Sequence, residues 1–104
     1  MANKFSLYLV EPGPRPAFTS LAHHLWAERD FDSDGNSRHI NDSEWTELTL
    51  TLRPGHIERV DIDPLSESPL VLVISSSSNE LAQRTALFLA ERTHGTICSE
   101  WPHV

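Results

Sequence analysis

The longest unbroken apolar run in the chain is Leu70-Val71-Leu72-Val73-Ile74. A run without polar alternation predicts a strand covered on both faces. Ser77 to Glu80 follows with the Ser-x-x-Glu spacing of a helix-capping box. Leu81, Ala82, Thr85, Ala86, Phe88 and Leu89 then recur at helical spacing up to Thr93, leaving Gln83, Arg84, Leu87 and Glu91 outward. Gly95 stands where a left-handed helix stop is expected. This strand and the helix returning over it predict the centre of the fold.

Upstream, Phe5, Leu7 and Leu9 alternate with Ser6, Tyr8 and Val10, the period of a strand. Pro12, Pro14 and Pro16 end it and suit a helix start. Phe18, Leu21, Ala22, Leu25 and Trp26 lie on one helical face, predicting a helix from Pro16 to Arg29. Leu48, Leu50 and Leu52 alternate with Glu47, Thr49 and Thr51, a half-buried strand expected to begin near Trp45. Arg53-Pro54-Gly55-His56 reads as a turn. Val60 and Ile62 give the return strand, closed by Asp63-Pro64, with a bulge expected at Ile57, where the parity breaks. Thr96-Ile97-Cys98 is a short last strand. Asp30 to Ser43 is polar and aperiodic, so it reads as a long acidic loop.

The pattern predicts a single α+β domain over residues 1–104. Its expected form is a mainly antiparallel five-stranded sheet with two helices on one face, in the order β-α-β-β-β-α-β, with ferredoxin-like elements. The other sheet face would show Glu47, Thr49, Thr51, Arg59 and Asp61 to water or to a partner.

A chain of 104 residues holds one core without staples. The single Cys98 rules out an internal disulfide and any zinc-type cysteine spacing. Phe5 to Val10 is too short for a signal-peptide core, so a cytoplasmic protein is expected, with no membrane partner. Charge changes the picture more. Between Glu28 and Glu67 lie 11 acids and 4 bases, a surplus of 7 that equals the net charge of −7, while the flanks hold 4 of each. Such a field repels nucleic acid and attracts cations or basic proteins; a solubility charge is the plainer explanation.

Asp30-Phe31-Asp32-Ser33-Asp34-Gly35 matches the opening of an EF-hand calcium loop and follows a predicted helix. The pattern then departs. Ser37 stands where an apolar residue belongs, Asn41 where a bidentate Glu belongs, and a strand follows instead of a second helix. Asp30, Asp32 and Asp34 are therefore a weak metal candidate, and an acidic surface loop is favoured; no cofactor is expected. The six histidines lack helical ligand spacing. Ser75 to Ser78 lacks the glycines and Lys of a phosphate loop, Cys98 lacks a base to activate it, and Asp61 with Asp63 suits the wet side of a hairpin.

In plan the chain resembles the small acidic immunity proteins of bacterial toxin–immunity pairs. The resemblance covers size, charge, the α+β order and the residues Asp30-Phe31-Asp32-Ser33-Asp34, Asp42-Ser43-Glu44-Trp45 and Glu58 to Asp63. It implies a non-catalytic inhibitor that covers a basic toxin domain, often a nuclease, with carboxylates standing in for phosphates. The expected contact residues are Asp30, Phe31, Asp32, Asp34, Asp42, Glu44, Trp45, Glu58, Asp61 and Asp63, the aromatics serving as anchors. The alternatives are a small enzyme or ligand- or metal-binding domain using the polar sheet face or the Asp30–Asp34 segment, and self-pairing through a strand edge.

Overall fold

In the computed structural model, residues 4–53, 55 and 58–100 are described. The elements are β1 (Phe5–Val10), α1 (Phe18–Trp26), β2 (Phe31–Gly35), β3 (Leu48–Leu52), β4 (Arg59–Glu67), β5 (Leu70–Ser76), α2 (Asn79–Thr93) and β6 (Thr96–Cys98). The fold is α+β. Six strands form one antiparallel sheet in the spatial order β2-β3-β4-β5-β1-β6.

Strand parity sets the core. Leu9 faces Leu72, Leu7 and Ile62 both face Ile74, Leu48 faces Ile62 and Leu50 faces Val60. Side chains alternate across a strand, so this one register puts all of them on the same face. α2 packs across β1, β4, β5 and β6, while α1 packs on β3 and on α2. Leu21, Leu25 and Trp26 from α1 and Leu81, Ala86, Phe88 and Leu89 from α2 close the core from above.

The sixth strand is β2, inside the stretch expected to be a loop. Its sequence, Phe-Asp-Ser-Asp-Gly, has no apolar alternation beyond Phe31. Its strand geometry comes from pairing with β3, from Phe31 against Leu52 to Gly35 against Leu48. It sits at the sheet edge, where short charged strands discourage unwanted pairing. Gly35 is required there: a Cβ would run into the Glu47 carbonyl and lie 2.9 Å from the Leu48 Cα.

Other boundaries also moved. α1 is shorter than Pro16 to Arg29, because Ala27 turns left-handed at φ 54° after Trp26 and directs the chain toward β2. β3 begins at Leu48, not near Trp45. β4 does not close at Asp63-Pro64 but runs to Glu67, and a register shift between Pro64 and Ser66 accommodates the missing proline N–H. The bulge expected at Ile57 lies outside the described residues. Ser78, not Ser77, caps α2, its hydroxyl accepting from the Leu81 N–H at 3.3 Å. At the other end His94, not Gly95, takes the left-handed position at φ 60°. Gly95 is small for a different reason: a Cβ would stand 2.9 Å from the Leu9 side chain.

Candidate functional site

The face of the sheet away from the helices carries the side chains of opposite parity. One lateral row crosses five strands: Asp34, Thr49, Asp61, Ser75 and Ser6. Every member is polar because this face is not roofed by a helix. Thr49 donates to Asp61 Oδ1 at 2.8 Å, and the hydroxyls of Ser6 and Ser75 lie 3.1 Å apart. Asp32 and Thr51 lie in the next row, toward Arg59. Asp63 projects further along β4 and is exposed. Glu47, just ahead of β3, is exposed on the same side, and it lines a notch of about 100 Å³ with Asp34, Gly35 and Thr49.

The acids of this face are of two kinds. Asp61 is held by the protein itself: Arg59 donates to both carboxylate oxygens at 3.0–3.2 Å, and Lys4 Nζ lies 3.7 Å from Oδ2. Its side chain is only 13% exposed. Burial pushes the Asp61 carboxyl up, but the bonds from Arg59 and Thr49, with the charges of Arg59 and Lys4, hold it below the usual range. The same pair raises the Arg59 guanidinium. Asp30 and Asp32 are bridged by Arg53, with Asp30 at 3.4 Å. Asp34, Glu47 and Asp63 make no ion pair with a Lys or Arg among the described residues.

The remaining expected contact residues are elsewhere. Phe31 faces the core side and is half-buried against the hydrophobic cluster. Trp45 is 1% exposed and donates through Nε1 to the Pro16 carbonyl at 2.8 Å, so it is a core residue and offers no surface anchor. Asp42 turns inward: its two oxygens accept from the N–H groups of Arg38 and Glu44, both at 2.8 Å, and these bonds hold its carboxyl below the usual range. It fixes the segment between β2 and β3 and does not face outward. Glu58 accepts from Trp26 Nε1 at 3.2 Å. Glu44 is exposed at another place, the rim of a hollow of about 520 Å³ at the end of the sheet, with Glu67 and Arg15. Burial lowers the Arg15 guanidinium despite the charges of Glu44 and Asp42, and its donors are turned to the Trp45 and Gly13 carbonyls.

The metal reading of Asp30, Asp32 and Asp34 does not fit this geometry. A strand spaces alternate side chains roughly 7 Å apart along a line, where a calcium loop must wrap its ligands around one point. Arg53 occupies two of the three carboxylates. Among the described residues no group of three His, Cys, Asp or Glu is arranged to hold a metal ion. Asp61 is bound by Arg59 and Thr49 and held below the usual range, which does not suit the role of a general acid. Glu47 and Thr49 stand on the open face where strand parity put them, although they were not among the expected contact residues. Among the described residues no helix is long and apolar enough to cross a membrane. No family model, curated protein or solved structure matches the chain.

Proposed function

We propose that this chain is a non-catalytic binding module, an immunity-type inhibitor whose open sheet face meets a basic toxin domain. The observation that carries the reading is the set Asp34, Glu47 and Asp63: three exposed carboxylates on one side of the sheet, without a Lys or Arg ion pair among the described residues. Unpaired carboxylates stay available to a partner's lysines and arginines, raise the association rate and exclude acidic proteins. Asp30, Asp32 and Asp61 contribute less, because a partner would first have to compete with Arg53, Arg59 and Lys4. The contact is therefore smaller than the acidic stretch of the sequence suggested, and it is centred on the β2–β4 half of the sheet.

The test is capture from a lysate of the native organism with the wild-type chain and with an Asp34→Lys, Glu47→Lys, Asp63→Lys variant. The captured protein should be basic, should be toxic when expressed alone and should be neutralised by co-expression of the wild-type chain. The triple variant should keep its thermal transition and lose capture, with an association rate lower by on the order of tenfold or more at low salt. A triple variant that folds and still neutralises the same protein would end this reading.

A further inference from the structure

On the helical side, α1 and α2 leave a groove of about 400 Å³ lined by Thr19, Ser20, His23, His24, Phe88 and Arg92. No carboxylate lines it, although the chain carries a net charge of −7. The Phe88 ring organises it. The His24 imidazole stacks on that ring with centroids 4.4 Å apart and planes 25° apart. The Arg92 guanidinium lies over the same ring, 4.8 Å from its centroid. A planar cation that rests on an aromatic ring keeps its N–H groups free for an anion.

Those donors are unused. Among the described residues, Arg92, His23, His24 and the hydroxyls of Thr19 and Ser20 make no side-chain hydrogen bond. Neighbouring Arg84 is different, because it donates to the carbonyls of His24 and Leu25 at 2.8 and 3.2 Å and closes the end of α1. The fold thus spends one arginine on its own carbonyls and leaves another, stacked and unpaired, beside two imidazoles.

We propose that this groove binds a phosphoryl group, gripped by the Arg92 guanidinium from α2 and by His23, His24, Thr19 and Ser20 from α1. A carboxylate would be satisfied by the guanidinium fork alone. A phosphoryl group carries more charge and three terminal oxygens, which matches a donor set spread over two helices. In the free protein, burial, then Arg84 and Arg92, hold the His24 imidazole below its ordinary value, with Glu91 acting the other way. A bound dianion reverses that balance, so binding takes up a proton at His24 and weakens as pH rises.

Titration of the full chain with inorganic phosphate and with glycerol 3-phosphate, followed by the NMR signals of the histidine rings, tests this. Variants His23→Gln and His24→Gln assign the two rings. The His23 and His24 signals should saturate while those of other histidines stay still. Arg92→Gln should weaken binding about tenfold or more, and Arg92→Lys should fall between, since it keeps the charge and loses the fork. Thermal melts confirm that each variant folds. A response to both ligands supports a phosphoryl end-group, and a response to phosphate alone supports the free ion as ligand. The proposal fails if neither ligand moves the two rings, if acetate at matched ionic strength moves them equally, or if a folded Arg92→Gln variant binds as tightly as wild type.

Discussion

Asp61→Asn separates structural from available carboxylates. Asn keeps the size and an acceptor for Thr49, and it removes the charge. The Thr49 bond is 2.8 Å long and made to a carboxylate with 13% exposure. Hydrogen bonds to charged groups contribute about 1.5–3 kcal/mol, of which the neutral bond retains about 1. Arg59 and Lys4 are 58% and 62% exposed, so solvent screening leaves each ion pair about 0.2–1 kcal/mol. The expected loss is about 1–2 kcal/mol at pH 7, and each kcal/mol lowers the midpoint of a domain this size by about 4–8 °C. Urea titrations at neutral and acid pH measure it. The Asp61 carboxyl is lowered in the folded protein, so the unfolded chain binds the extra proton first. Its contribution is fully present above the unfolded value of about 3.9 and is lost as pH falls through the lower folded value. The gap between wild type and variant should therefore close in acid. A gap under about 0.5 kcal/mol at pH 7, the range of exposed pairs, or one that persists in acid, would show that the charge of Asp61 does not stabilise the fold.

Three further changes test the surrounding structure. Thr85 is fully buried, and its hydroxyl has no hydrogen-bond partner among the described residues, so Thr85→Val should stabilise by about 1 kcal/mol in chemical denaturation, with destabilisation counting against that burial. Gly35→Ala drives a Cβ into the Glu47 carbonyl and should cost about 1–3 kcal/mol, with faster amide exchange along β2; an unchanged exchange pattern would mean that β2 does not approach β3 as described. Ser78→Ala should cost about 1 kcal/mol while Ser77→Ala costs much less, which thermal melts of the two variants would decide.

Amino-acid order was sufficient wherever burial differs between the two sides of an element. Leu48, Leu50 and Leu52 against Thr49 and Thr51 and the periodic face of α2 carry that contrast and stand where the pattern put them. The unbroken apolar run of β5 is a strand as expected, but it is not covered equally on both faces, since Val73 on the side away from the helices is only half-buried. β2 has no such contrast, because an edge strand of Asp, Ser and Gly is defined by its hydrogen bonds to β3 and not by its own side chains. The same limit applied to charge. The surplus of acids between Glu28 and Glu67 is plain in the chain, but which of them remain free was decided in space. Arg53 reaches Asp30 and Asp32 from more than 20 residues away, Asp42 folds back onto its own loop, and Trp45 goes into the core. Local periodicity records which side of an element is buried; pairing between distant residues is a property of the assembled sheet, and only the tertiary structure supplies it.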